Sequence, residues 1–200
     1  EEGLNEHGLA VAMTFVMTDL KRIQPGFNSC FVVRYLLEKA HDTKQALSLL
    51  MDLPIASNCN ILLADKSGSM NVVECSPAIK KIRGAECFDN DKIICTVNSF
   101  ISDEMNPYDD AHGNDYDSHK RYNTVIDSFS LGKIKDNCIE TTKQLLKGSY
   151  GFMCQYDEEP DFETVWSSIF DLELLLIYRA EGDPRKKKFI TDKRLHDMKQ

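Results

Sequence analysis

Seven cysteines, at positions 30, 59, 75, 87, 95, 138 and 154, are the most reactive side chains of the sequence, and their spacing limits what they can do. A zinc site wants close pairs of the Cys-x-x-Cys kind. The nearest spacings here are Cys87 to Cys95 and Cys138 to Cys154, so no metal is expected. The count is odd, and Cys30, Cys59, Cys75, Cys95 and Cys138 lie in apolar runs, which predicts reduced core thiols rather than a secreted disulfide framework. The histidines His7, His41, His112, His119 and His196 stand at no spacing that makes a metal pair or a nucleophile–base dyad, and each is expected at the surface. Ser67-Gly68-Ser69 lacks the Gly-x-Ser-x-Gly frame that strains a serine between strand and helix. No phosphate-binding glycine loop occurs. Two charged segments could hold ions. Asp103 to Asp117 is rich in oxygen ligands but lacks the residue order and terminal Glu of an EF-hand loop, so a solvated loop is expected. Arg185-Lys186-Lys187-Lys188 would suit phosphate in isolation, but on an acidic chain it reads as a charged, frayed terminus.

The elements that must position any chemistry follow from periodicity. Leu9 to Val16 is apolar on both faces, as in an internal strand. After Pro25-Gly26, the run Ser29 to Ala40 has Phe31, Tyr35, Leu36 and Ala40 at helical spacing, with Asn28 or Ser29 as cap. Asp42-Thr43-Lys44-Gln45 has the form of a capping box, and Ala46, Leu47, Leu49 and Leu50 line the helix that follows. The period then changes to two. Asn60 to Asp65 and Asn71 to Cys75 flank Lys66-Ser67-Gly68-Ser69, a hairpin connection, and Ile79 to Arg83 and Ile93 to Val97 are further strands. Helices are predicted over Ser118 to Phe129 and Asp136 to Leu146, and a closing hairpin over Thr164 to Asp171 and Leu174 to Arg179. The order predicts an α+β fold with strands and helices in separate layers.

Composition sets the outer bounds. A chain of 200 residues, 42% apolar and 28% charged, has the balance of a globular domain with a core. With 32 acidic against 24 basic residues the net charge is −8, which argues against a nucleic-acid partner, whose phosphates are met mainly by Lys and Arg. The longest apolar stretch, Leu172 to Ala180, is broken by Glu173 and Arg179 and falls short of the roughly 20 residues of a membrane helix. No membrane partner is expected, and Glu1 to His7 lacks a signal-peptide pattern, so a cytoplasmic location is expected. Residues 1–182 read as the main part of one domain, and 183–200 as a basic tail.

Several segments read in series carry a family likeness. They are Gly3-Leu4-Asn5-Glu6-His7-Gly8-Leu9-Ala10-Val11, Cys59-Asn60-Ile61-Leu62-Leu63-Ala64-Asp65, Val73-Glu74-Cys75-Ser76-Pro77, Thr96-Val97-Asn98 and Trp166-Ser167-Ser168-Ile169-Phe170-Asp171. In this order the sequence resembles the acyl-coenzyme A:6-aminopenicillanic acid acyltransferase-like group, related to choloylglycine hydrolases and penicillin V acylases. The resemblance implies an N-terminal nucleophile hydrolase, a four-layer αββα sandwich in which an N-terminal cysteine attacks an amide or thioester carbonyl and its own α-amino group is the base. It implies cysteine-dependent amidase or acyltransferase chemistry on non-peptide C–N bonds through an acyl-enzyme, with no cofactor. It also implies that the nucleophile and the preceding strands lie outside residues 1–200, on a processed chain or an absent segment. A non-catalytic ligand-binding member of the same fold is the alternative.

The resemblance also assigns residues. Asn98 matches an asparagine whose side-chain amide donates to the oxyanion of the tetrahedral intermediate, whereas by residue type alone an Asn after a strand forms a turn. Arg121 matches an arginine that begins a helix after a long loop and could orient the nucleophile or hold a carboxylate; a solvated helix-start arginine is the plain reading. Thr14 and Phe15 fall where relatives place substrate-facing residues. The bile-salt enzymes have an asparagine near there, which Thr14-Phe15 does not supply. Glu74 is expected to be a packed, hydrogen-bonded acid. The partner implied is a small amide or acyl substrate, with a homo-oligomer left open.

Overall fold

The computed structural model describes residues 1–88, 91–110, 117–134, 138–154 and 163–198. His112, Gly113 and the middle of the acidic loop (111–116) lie outside the described residues, as does Asp136, the expected start of the fourth helix. The chain forms two compact units, Glu1–His119 and Lys120–Gln200.

The first unit is built on an antiparallel five-stranded sheet of β1 (Glu2–Leu4), β2 (Leu9–Phe15), β3 (Cys59–Asp65), β4 (Met70–Cys75) and β5 (Lys80–Gly84), in chain order across the sheet. Two helices, α1 (Ser29–Lys39) and α2 (Thr43–Asp52), connect β2 to β3. Leu9 and Val11 of β2, Ile61 and Leu63 of β3 and Val73 of β4 alternate onto one face. There they share a core with Val32, Val33 and Leu36 of α1 and Ala46 and Leu50 of α2. The capping box forms: Asp42 accepts from the Gln45 N–H at 2.8 Å, while Gln45 reaches back to the His41 N–H at 3.1 Å. Of the predicted face of α1, Leu36 and Ala40 are buried and Tyr35 packs against the core, but Phe31 is corrected: it is 70% exposed, Cys30 is exposed, and Ser29, Val32 and Val33 are buried instead. Asn28 accepts from the Cys30 N–H and starts the helix there, which turns Cys30 and Phe31 away from the sheet.

The β3–β4 connection is fixed from below. Asp65 is buried; one carboxylate oxygen accepts from the N–H and hydroxyl of Thr43, at 2.9 and 2.8 Å, and the other from the N–H and hydroxyl of Ser67, at 2.9 and 2.5 Å. Burial pushes this carboxyl up, but the hydrogen bonds from Ser67 and Thr43 outweigh it and hold it below the ordinary carboxylate value. Gly68 takes the positive φ of +83° that lets the turn close.

After β5 the expected strand Ile93 to Val97 is corrected. A small hairpin of β6 (Glu86–Phe88) and β7 (Asp91–Ile93) ends at Ile93, and residues 94–102 run without strand pairing. The start of the acidic segment, Asp103–Tyr108, is a 3-10 helix whose Met105 packs with Val16 and Phe100.

The second unit takes up α3 (Ser118–Ser130) from Lys120 onward, and α4 (Ile139–Leu146), β8 (Trp166–Asp171), β9 (Leu176–Glu181), β10 (Ile190–Asp192) and α5 (Arg194–Asp197) follow. The three strands are antiparallel with β9 in the centre. The basic run is therefore not a frayed end. The Asp183 carboxylate accepts from the N–H and Nε of Arg185, both at 2.9 Å, turning the chain so that β10 can pair with β9. Among the described residues no helix is long and apolar enough to cross a membrane.

Candidate active site

Strand alternation that sends Ile61 and Val73 into the helix-covered core sends their neighbours to the opposite face of the sheet. Register places Thr14 of β2 beside Asn60 of β3, Asn60 beside Glu74 of β4, and Glu74 beside Lys81 of β5. A row of polar side chains thus crosses four strands. Asn60 and Glu74 are completely buried.

The unpaired chain from Cys95 to Ser102 lies along this row as a strap, and side chains replace the strand pairing it lacks. Thr14 Oγ1 donates to the Val97 carbonyl at 2.7 Å. Asn60 Nδ2 donates to the same carbonyl at 2.9 Å, to Ser99 O at 3.1 Å and to Thr14 Oγ1 at 3.1 Å. Asn98 in turn donates from Nδ2 to the Phe15 carbonyl at 2.9 Å, linking the middle of the strap to the end of β2. The backbone groups that a β-ladder would have used are therefore met by side chains, which explains why a sequence that reads as a strand up to Val97 does not form one.

The structure thus brings Thr14, Phe15 and Asn98 together. Asn98 is half-buried and Phe15 exposed. Arg121 stands in the first turn of α3 and is half-buried in the second unit. A cavity of about 480 Å³ opens between Lys21, Arg22, Asn58, Pro77 and Tyr108, beside the chain that leaves β2. There Asn58 donates to the carbonyls of Met17 and Tyr108 at 2.9 and 2.6 Å.

Cys59 and Cys75 are buried partners across β3 and β4. Their mutual hydrogen bond, and then burial, push the Cys75 thiol well up. Cys95 is half-buried. Cys30 and Cys138 are exposed, which corrects their expected place in the core: one lies off the buried face of α1 and the other is the residue before α4. His41 and His119 are exposed as expected. The rings of His7 and His41 stack at 3.8 Å between centroids.

Asn60 and Arg83 were not singled out by sequence. Asn60 heads an apolar strand and reads as its boundary. The signal that could have found it is the shared parity of Thr14, Asn60 and Glu74, each a polar residue on the strand face opposite the apolar one. Asn60 Oδ1 and Ser99 Oγ are buried with no hydrogen-bond partner among the described residues, so this row is not optimised for stability alone.

A family model described as acyl-coenzyme A:6-aminopenicillanic acid acyl-transferase matches residues 1–186. Among curated proteins no sequence match is found. Among solved structures, penicillin V acylase from Agrobacterium tumefaciens is 18% identical with a TM-score of 0.56. That match covers 90% of this chain, and the chain spans 62% of the acylase. A mutant of conjugated bile acid hydrolase from Clostridium perfringens is 11% identical with a TM-score of 0.60, over 98% of this chain and 74% of that one. A second variant of the same hydrolase is 13% identical with a TM-score of 0.58. The likeness identifies the fold as the α+β N-terminal nucleophile hydrolase type. Matched from its first residue through β9 and the turn at Asp183, the protein belongs to the acyl-coenzyme A:6-aminopenicillanic acid acyl-transferase family.

Proposed function

We propose that residues 1–200 are the larger part of a thiol-dependent amidase or acyltransferase acting on non-peptide C–N bonds through an acyl-enzyme, with the nucleophile contributed by a segment outside these residues. The observation that carries this reading is the hydrogen bond from Asn98 to the Phe15 carbonyl, which fixes the amide at the end of β2 beside Thr14. In this reading the Asn98 side-chain amide, the counterpart of the family's asparagine, is the donor for the oxyanion that forms when a thiolate adds to the substrate carbonyl. Thr14 and Phe15 then border the substrate, and Arg121 serves the nucleophile or a substrate carboxylate. The α-amino group of the nucleophile is the base, so catalysis needs no histidine and no cofactor. The 480 Å³ cavity beside Tyr108 suits a small amide or acyl group. Cys59 and Cys75, which face each other across buried strands as thiols rather than as a disulfide, fit the reducing cytoplasm. Assembly as a homo-oligomer is compatible with this reading.

The test is Asn98→Ala in the full-length protein, assayed with a chromogenic amide. Loss of one oxyanion donor should lower kcat by about 10²–10³-fold. Equal turnover by wild type and variant would remove Asn98 from the mechanism. Binding of the amide without turnover by wild type would favour the non-catalytic ligand-binding alternative.

A further inference from the structure

Glu74 is a carboxylate with no solvent exposure on β4, and its hydrogen bonds go to Arg83, Ile101 and Ser102 rather than to the residues placed at the substrate. Its Oε1 accepts from Arg83 Nε at 2.8 Å and from the Ile101 N–H at 2.9 Å, while Oε2 accepts from the Ser102 N–H at 3.1 Å. Arg83, itself only 14% exposed, uses its remaining reach to donate from Nη2 to the Cys95 carbonyl at 2.8 Å. A buried ion pair is a poor source of stability, because removing two charges from water offsets most of their attraction; apolar residues of similar volume often serve as well. What this pair does that an apolar pair could not is hold backbone. It grips the strap at Cys95 and at Ile101, three residues before and three residues after Asn98, while Asn60 holds Val97 and Ser99 on either side of that residue.

We propose that Glu74 and Arg83 are positioning residues that set the reach of the Asn98 amide toward the reacting carbonyl, an inference that rests on the oxyanion role given to Asn98 above. The carboxylate organises two N–H groups and a guanidinium, and the guanidinium organises a carbonyl. Together they convert a segment without strand pairing into a rigid mount. An oxyanion donor must stand at hydrogen-bond distance from where charge develops, and displacement by about 1 Å is enough to cost on the order of 10²-fold in rate. Glutamine at position 74 has one acceptor oxygen in place of two, so it cannot serve Arg83, Ile101 and Ser102 together.

The experiment is Glu74→Gln in the full-length enzyme, alone and combined with Asn98→Ala, with kcat and KM measured well below the melting temperature of each variant. The expected result is a fall in kcat of about 10- to 100-fold with KM within about twofold. The same substitution should have less than about a threefold effect once Asn98 is alanine, because the mount then carries no donor. A merely structural role would lower the melting temperature and leave the two losses multiplicative, which would overturn the proposal, as would wild-type kcat in a folded Glu74→Gln. Should that variant not fold, Arg83→Lys gives the same readout by cutting the link to Cys95 while keeping the charge. Should the wild type turn over no amide, it is the enzymatic reading that fails. The positioning claim is then read from the Asn98 side-chain amide in a ¹H–¹⁵N spectrum: shifted or broadened in Glu74→Gln if the mount matters, unchanged if it does not.

Discussion

Asp65 illustrates how a residue that reads as the polar end of a strand sets local structure. Its carboxylate joins the first turn of α2 to the β3–β4 hairpin through Thr43 and Ser67, and those hydrogen bonds favour its charged form despite burial. Because the folded value is lowered, this stabilisation is complete above the unfolded carboxylate value near about 4 and is lost as pH falls through the folded value. Asp65→Asn should therefore cost about 1–3 kcal/mol at pH 7 and much less at acid pH, since the wild type loses the same interaction there. Urea midpoints of the two proteins at pH 7 and near pH 3 check this; an equal gap at both would contradict it. Asn98, Thr14 and Phe15 became candidates through family resemblance rather than residue type, because an asparagine in a loop carries no chemical signature. Asn60, Glu74 and Arg83 needed the register between strands to become visible as one row.

At the scale of elements, the sequence was legible where pattern and capping agree. The α2 capping box, the Gly68 hairpin and the alternating strands β3 and β4 formed as expected, since each depends on residues close in sequence. On α1 the expected Leu36 and Ala40 are buried and Tyr35 packs against the core, but Phe31 is turned out and Val32 and Val33 take its place beside Leu9 and Ile61. This yields a paired prediction. Leu36→Ala should cost about 2–5 kcal/mol as a cavity in the core, while Phe31→Ala at the exposed position should fall within about 0.5 kcal/mol of wild type. Denaturant unfolding of the full-length variants decides it, and a large loss for Phe31→Ala would return Phe31 to the core. Gly26 is a sharper constraint. An added Cβ would come within 2.8 Å of Pro54 O and the Ile55 carbonyl carbon, backbone that cannot turn aside, so Gly26→Ala should displace the chain between β2 and α1 and lower the melting temperature. A melting curve unchanged from wild type would mean that this chain is loosely held. The strand expected over Ile93 to Val97 failed for a longer-range reason, because Thr14, Asn60 and Arg83 take the carbonyls that a neighbouring strand would have used.

For the whole molecule, composition and periodicity reached the α+β class. The basic end of the chain was misread because charge alone does not reveal that Asp183 folds it back or that Ile190–Asp192 completes a sheet. The proposed function needs neither a histidine dyad nor a nucleophile elbow: in that proposal the thiol and its base are one residue, and residues 1–200 supply the oxyanion mount. This central claim is tested most directly by trapping the acyl-enzyme. The full-length protein, quenched during turnover of an amide substrate, is digested and the acylated peptide identified by mass spectrometry. Exposed thiols such as Cys30 and Cys138 would react with a general alkylating agent, so the substrate itself is the better reporter. The account predicts one acyl group per chain on an N-terminal cysteine outside residues 1–200, accumulating less in Asn98→Ala. An acyl group on any of the seven cysteines within residues 1–200, formed and lost at the rate of turnover, would contradict it.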